Sequence, residues 1–312
     1  MTVGPSSPII ELRSITKRYR ATVALDRIDL EVGRGELVGL LGPNGAGKTT
    51  AIKLLLGLAR PTSGTGRVLG APLGDRETRR RIGYLPELFR YQPWLRAREV
   101  LELHAELAGL PVAVRPGSAL EALARVDLAA RADDAVGRFS KGMQQRLGLA
   151  VALLGAPELV LLDEPTSALD PVGRVEVREI VRAAHDRGAT LILNSHLLTE
   201  VERVCDRVVI MHGGRIVASG ALEDVVAADG VRIRVTDLDP AARGSLATFG
   251  PTRDDGEWLT VRPLASDRIP AVVAAIVAAG GRVHAVEPGR GSLEARFLEL
   301  VATPPGGSDG TP

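Results

Sequence analysis

Aromatic side chains are scarce in this chain, at 3% of 312 residues, which leaves few rings for stacking on nucleobases. There is one cysteine, Cys205, and a lone cysteine excludes an intramolecular disulfide and a cysteine-rich zinc site. Its neighbours Val201, Val204 and Val208 read as the apolar side of a helix, so a buried, unreactive thiol is expected. Charge of either sign is nearly balanced, at +1 overall, and a nucleic-acid partner has no electrostatic case. No apolar run reaches the ~20 residues that cross a bilayer; the longest are Leu147–Pro157 and Ala271–Gly280. Met1–Pro8 lacks a basic stretch followed by an apolar one, so no signal peptide is expected. If the chain serves a membrane, another polypeptide crosses it.

What is present is ordinary for a globular protein, with 45% hydrophobic and 25% charged residues. The length is enough for a large core and suggests two domains. The chain is organised around Leu37–Thr50, where an apolar run enters a glycine-rich turn and a Lys-Thr-Thr then opens a helix. Gly42, Pro43, Asn44, Gly45, Ala46, Gly47, Lys48 and Thr49, followed by Thr50, fit Gly-x-x-x-x-Gly-Lys-[Ser/Thr]. The chemistry explains the spacing. A polyphosphate is large and anionic, so backbone N–H groups must curl inward around it, and only small residues allow that approach. The helix start adds its positive end. Lys48 can reach the outer phosphates, and the Thr49 hydroxyl can ligate Mg²⁺. A merely flexible loop is the plain alternative; the strand before and helix after argue against it.

Read in order, residues 1–8 are expected to be frayed. Ile9–Ile15 reads as a strand, Thr16–Arg20 as a turn and Val23–Val32 as a strand pair. Pro61–Gly66 reads as a loop, Arg67–Leu69 as a short strand, Arg79–Arg81 as a solvated charge run and Ile82–Leu85 as a strand. Residues 95–136 look helical. One stripe is Val100, Leu103, His104, Leu107 and Leu110, broken by Pro111 and Pro116. A second is Leu120, Leu123, Ala124 and Leu128, and both stripes are expected to be core. Ser140 is a natural N-cap for a helix over Lys141–Leu154. Leu159–Leu162, Thr190–Asn194 and the hairpin Arg207–Met211 with Arg215–Ala218 alternate with helices, which argues for a largely parallel sheet. Past Gly220 the composition shifts. Strands at Val231–Val235, Trp258–Arg262 and Arg282–Val286, with helices at Pro240–Thr248, Ile269–Ala279 and Ser292–Val301, indicate a small α+β domain. The Gly/Pro/Ser-rich tail, residues 304–312, is expected to be disordered.

A phosphate loop alone fits a kinase, a GTPase or a motor. Leu159–Leu162 ends in Asp163 and Glu164, one acid able to hold Mg²⁺ through water and the other able to polarise an attacking water. Phe139-Ser140-Lys141-Gly142-Met143-Gln144-Gln145-Arg146 then resembles the signature motif of ABC-transporter ATPases, with Ser140 standing 23 residues before Asp163. Ser167-Ala168-Leu169-Asp170 resembles that family's D-loop, and His196 its switch histidine. Tyr19 resembles the aromatic that stacks on adenine, with Val23 beside it. Glu87 stands where the family usually has its Q-loop glutamine.

The resemblance implies a P-loop NTPase fold of ABC type over residues 9–220, a mixed sheet with a helical insertion near 88–138. The small C-terminal domain would follow over 221–303. It implies ATP and Mg²⁺ as cofactors, Glu164 and His196 as catalytic residues, and Thr49, Glu87 and Asp163 around the metal. It also implies a head-to-tail dimer formed on ATP binding. There Ser140, Lys141, Gly142, Met143 and Gln144 of one copy would meet the nucleotide of the other, with the D-loop residues Ala168, Leu169 and Asp170 close by. Ser140 and the helix start behind it would offer hydroxyl, N–H and dipole to the γ-phosphate. Phe139, Lys141, Met143 and Glu87 depart from the common pattern and resemble bacterial export ATPases with a separate membrane subunit, of drug-resistance or copper-enzyme-maturation type. Gly291–Leu298 resembles the end of the extra domain on such ATPases.

A transmembrane permease partner and a peripheral place on the cytoplasmic face of the membrane follow from the same resemblance. Phe89, Tyr91 and Trp94, clustered in a chain with few aromatics, are expected to form the docking surface, with packing of the insertion's own core as the plain alternative. Two other readings stand beside this one. A non-transport ABC ATPase would usually carry paired cassettes, a long coiled coil or a basic arm. A binding module with a dead site would lack one of Lys48, Asp163, Glu164 or His196. His104, His185, His212 and His284 match no metal spacing and are read as structural.

Overall fold

The computed structural model describes residues 7–302 apart from 168, 227–229, 240, 241, 243, 245, 263, 265 and 289–291. The frayed start and disordered tail expected from the sequence therefore lie, for residues 1–6 and 304–312, outside the described residues. The chain divides into two compact units, one running to Leu222 and resumed at Leu300, the other Glu223–Glu299.

The first unit holds two sheets. One is antiparallel, in the order β2-β1-β4-β5, from β1 (Ile10–Tyr19), β2 (Thr22–Val32), β4 (Ser63–Val68) and β5 (Ala71–Pro72). Thr16–Tyr19, expected as a turn, continues β1, and the reversal falls at Arg20-Ala21. Val23–Val32, expected as two strands, lies in one long strand. Bulges absorb its twist: the β1–β2 register shifts three times, with Ser14 and Arg27 at φ 48° and 49°. Ser63–Gly66, expected as loop, already belongs to β4.

The other sheet runs β10-β9-β3-β8-β7-β6. It contains β3 (Leu37–Leu41), β6 (Ile82–Leu85), β7 (Leu159–Asp163), β8 (Thr190–Asn194), β9 (Arg207–His212) and β10 (Arg215–Ala221). From β9 to β6 every pair is parallel, and β10 closes the edge antiparallel. β3, β7 and β8 are buried at every position, as strands covered on both faces must be. Each fully buried Leu or Ile there contributes roughly 1.5–3 kcal/mol by leaving water. A continuous core joins Ile10, Leu12 and Leu25 to Val38, Ile52, Leu54 and Leu161, so the two sheets share the helix α1 (Lys48–Leu55) between them.

Glu158, just before β7, staples the far end of this sheet. Its carboxylate accepts from Arg34 at 2.8 Å and from Arg81 at 2.6 Å. The charge run Arg79–Arg81 is thus exposed but engaged, since Arg79 also donates to the Gly57 carbonyl at 2.8 Å. Hydrogen bonds from Arg81 and then Arg34 hold the Glu158 carboxyl at about 2, below its ordinary value of 4.5. A depressed carboxylate stabilises the fold above its unfolded pKa, and that stabilisation is lost as pH falls through the folded one. Because the side chains are 38–45% exposed, the pair is worth about 1 kcal/mol or less, or roughly 2–4 °C in melting temperature at neutral pH. Glu158→Gln should therefore melt a few degrees below wild type at pH 7. The gap should close progressively below about pH 4, as followed by circular dichroism.

The insertion between β6 and β7 carries α3 (Ala97–Leu107), α4 (Arg115–Arg125) and α5 (Lys141–Ala152), joined by short 3₁₀ turns. The expected stripes are only partly core. α3 buries Ala97, Val100, Leu101 and Ala105, whereas Leu103 and Leu107 are exposed. α4 buries Ala119, Ala122 and Leu123 and leaves Leu120 exposed. The inner faces mix small alanines with Val100, Leu101 and Leu123, while Leu103, Leu107 and Leu120 fall on the outer side. Pro116 does not break α4. It stands in the first turn, where its missing N–H has no helical acceptor to lose. α5 starts as expected: the Ser140 hydroxyl accepts from Met143 N at 3.2 Å. Its other end meets β6 at Gly83, where an added Cβ would lie 1.8 Å from the Ala152 carbonyl oxygen. Only glycine fits such a backbone-to-backbone approach.

α6 (Pro171–Asp186) is capped by Asp170, whose carboxylate accepts from Gly173 N at 2.8 Å. α7 (Leu198–Val204) leads into Cys205, which is buried, and burial pushes its thiol up out of the reactive range.

The second unit is a four-stranded antiparallel sheet in the order β12-β13-β11-β14, from β11 (Val231–Thr236), β12 (Thr252–Asp255), β13 (Trp258–Val261) and β14 (Arg282–Pro288). β12 was not expected; its Thr-Arg-Asp-Asp has no apolar alternation to reveal it. The helix expected at Pro240–Thr248 falls partly outside the described residues, and Leu246–Thr248 is a 3₁₀ turn. Val231, Ile233 and Val235 alternate inward with Arg232 and Arg234 outward, and the helix Ile269–Ala278 buries Val272 and Ile276 against that inner face. Arg232 lies 4.5 Å over the Trp258 ring.

Candidate functional site

In an open parallel sheet, loops at the carboxyl ends of neighbouring strands converge on one crevice. Here β3 ends in the glycine-rich loop, β8 in Asn194 and His196, β7 in Asp163 and Glu164, and β6 leads to Glu87. These meet around a cavity of about 610 Å³. Of the expected site residues, Val23, Asn44, Gly45, Ala46, Gly47, Lys48, Thr49, Thr50, Glu87, Asp163, Glu164 and His196 line it. Thr22, Ala24 and Asn194 line it too and were not anticipated. Thr22 and Ala24 flank an anticipated valine, and Asn194 ends an apolar strand, where a buried polar residue is itself a signal.

The loop's shape is fixed by Gly47, at φ 104°. A Cβ there would lie 2.5 Å from the Ala24 carbonyl oxygen. Lys48 is buried, and its ammonium donates to the carbonyls of Gly42 at 2.6 Å and Pro43 at 3.2 Å. Those two loop residues do not line the cavity; they hold its lysine. Burial lowers the Lys48 pKa, opposed by the charges of Glu164 and Asp163.

Asp163 is also buried. Burial raises its pKa, a hydrogen bond from Asn194 opposes this, and the Glu87 charge adds to the rise. Glu164 sits at φ 53°, a left-handed conformation that costs a non-glycine residue energy. Its backbone N–H donates to the Asn194 carbonyl at 2.8 Å. The two carboxylate oxygens are taken by one partner: His196 N donates to Oε1 at 3.0 Å, and His196 Nδ1 stands 2.8 Å from Oε2. The glutamate is largely enclosed while the histidine is exposed, so the pair reaches from the interior to the mouth of the cavity.

The oxygen donors Thr49, Asp163 and Glu87 suit a hard cation such as Mg²⁺. Among the described residues no cluster of three or more His, Cys, Asp or Glu could hold a metal alone.

Other expected residues lie elsewhere. Tyr19 is not a lining residue. It is 44% exposed, with the Lys17 ammonium 4.7 Å over its ring, and it pairs across the β1–β2 turn with Thr22, which does line the cavity. Ser140, Lys141, Gly142, Met143 and Gln144 open α5 away from the cavity. Ser140 and Lys141 are exposed, and Gln144 Nε2 donates to the Phe139 carbonyl at 3.2 Å. Leu169 is buried and Asp170 serves as a cap, while Ala168 lies outside the described residues. Of the expected docking aromatics, only Trp94 is an open surface, at 72% exposure. Phe89 packs over Gly148 of α5, and Tyr91 packs its ring against Phe89 and edge-on to His104. Proximity in sequence is not a shared face.

A family model described as ABC transporter matches residues 25–167. An uncharacterized ABC transporter ATP-binding protein of Nostoc sp. is 36% identical over 96% of this chain and 92% of its own. The Nod factor export ATP-binding protein I of Burkholderia orbicola is 38% identical over 83% of this chain and 86% of its own. Among solved structures, a dimeric post-hydrolysis state of the ATP-binding cassette MJ0796 bound to ADP and Pi is 27% identical, with a TM-score of 0.62. It covers 68% of this chain and 98% of its own.

Proposed function

This chain belongs to the family of ABC-transporter ATP-binding proteins, and from that premise we propose that it hydrolyses Mg²⁺·ATP to drive export through a separate transmembrane permease. The observation that carries this reading is the enclosure of Lys48, Asp163, Glu164 and His196 around one cavity. Lys48 exchanges its loop carbonyls for phosphate oxygens. The loop N–H groups and the start of α1 hold the remaining negative charge. Thr49 and Asp163 would hold Mg²⁺, which would supply positive charge against the phosphates. Water attacks the γ-phosphorus, the bond to the β-phosphate oxygen breaks, and Glu164 takes the water's proton. His196 keeps the Glu164 carboxylate aimed into the cavity.

Export is supported by the Nod factor relative, an export ATP-binding protein. A dimer with Ser140 facing the partner's nucleotide is supported by the placement of Ser140 away from its own cavity, and by the dimeric state of the MJ0796 cassette. No described helix is long and apolar enough to cross a membrane; a place at the cytoplasmic face, held through the permease, is supported by the family.

The test is co-expression with a neighbouring gene product that carries about six apolar stretches of ~20 residues. The two should co-purify and release phosphate from Mg²⁺·ATP. Trp94→Ala, which removes an exposed ring without opening a cavity, should leave phosphate release by the isolated subunit unchanged. It should also weaken co-purification severalfold. Co-purification at wild-type yield would remove Trp94 from the docking surface.

A further inference from the structure

β8 is Thr190-Leu191-Ile192-Leu193-Asn194, buried at every position. Its last residue is the exception in character, a polar amide only 3% exposed at the end of an apolar strand. A buried amide costs free energy unless its groups are paired. Here the pairing is specific and incomplete. In the parallel register Asn194 stands beside Asp163, and its Nδ2 donates to Asp163 Oδ1. Its main-chain carbonyl accepts from Glu164 N at 2.8 Å. Among the described residues, Asn194 Oδ1 is buried with no partner and no donor is bonded to Asp163 Oδ2.

We propose that Asn194 is a positioning residue for the metal: it pins one oxygen of Asp163 so that the other is presented to the cation, and its own free Oδ1 accepts from a water of that cation's shell. This rests on the nucleotide reading above. The residue type fits the task. An amide supplies a donor to Asp163 and an acceptor to water without adding a fourth negative charge to Glu87, Asp163 and Glu164. A carboxylate would repel Asp163, an apolar residue would leave its oxygen free to turn, and a lysine would compete with the cation. The main-chain bond extends the role, since the same residue fixes the backbone from which Glu164 projects.

The experiment titrates Mn²⁺ by electron paramagnetic resonance, in place of Mg²⁺, into full-length protein saturated with ADP. ADP affinity is measured separately in EDTA by calorimetry. In Asn194→Leu, which keeps the branching at Cγ and suits the strand, Mn²⁺ affinity should fall roughly tenfold or more, the usual consequence of losing an outer-shell partner. ADP affinity in EDTA should change less than about twofold, because Lys48 and the loop carry it. Mn²⁺ binding as tight as wild type overturns the proposal. So does an equal loss in both titrations, which would make Asn194 a structural residue only. Should Asn194→Leu not fold, Asn194→Ser, too short to reach Asp163, decides by the same criteria. Failure of the wild type to bind Mn²⁺ with ADP would instead overturn the nucleotide reading.

Discussion

Glu164→Gln is expected to bind ATP as tightly as wild type and to release phosphate more slowly by roughly 10²–10⁴, the loss typical of a missing general base. The geometry makes the substitution clean. An amide oxygen at the Oε1 position still accepts from His196 N, and an amide nitrogen at Oε2 can donate to His196 Nδ1 in the tautomer that leaves that nitrogen without a proton. The left-handed backbone at residue 164 and its bond to Asn194 do not involve the side chain. Fold and orientation therefore persist while the proton acceptor is gone. Phosphate release at saturating Mg²⁺·ATP reads the rate. With hydrolysis blocked, the ATP-bound dimer should accumulate and elute early in size-exclusion chromatography. Turnover near the wild-type rate would remove Glu164 from the role of base.

The next largest effect tests where the second half of the site comes from. Ser140→Arg places length and positive charge at the exposed start of α5, remote from its own cavity. If that helix start meets the partner's nucleotide, the variant should bind ATP and hydrolyse almost none. Lys48→Ala fails for a different reason: the phosphates lose their buried cation. Neither homodimer retains a working site. A mixed dimer retains one, built from the loop of the Ser140→Arg copy and the α5 start of the Lys48→Ala copy. Random pairing gives half of the dimers this arrangement, with one of two sites intact, so about a quarter of wild-type activity should return on mixing. No recovery, or normal hydrolysis by Ser140→Arg alone, would show that the nucleotide is served within one chain.

Much of this was legible before any coordinates. The glycine loop, the acids after Leu159–Leu162 and the Ser140 cap announce themselves because each is a local pattern: a run, a breaker and a fixed offset. What stayed hidden depends on which surface a residue meets. Leu103, Leu107 and Leu120 read as core by period, yet the inner faces of α3 and α4 are filled by Val100, Leu101, Leu123 and alanines instead. Phe89 and Trp94 are five positions apart and lie in opposite environments, one packed on α5 and the other in solvent. Asn194 looked like a strand terminus because its partner, Asp163, is 31 residues away in sequence. β1 runs past its expected turn because bulges, which leave no mark in hydrophobic alternation, bend it.

The missing side chain at Gly83 has a mechanical meaning. The strand that leads to Glu87 and the helix that begins at Ser140 touch backbone to backbone, with no clearance even for a methyl group at that point. A second clamp lies nearby, where an added methyl at Gly148 would lie 2.7 Å from both Leu85 and Phe89. Sliding one element along the other would break both contacts at once. The two therefore behave as a single lever, with the Glu87 side of the nucleotide pocket on one arm and Ser140 on the other.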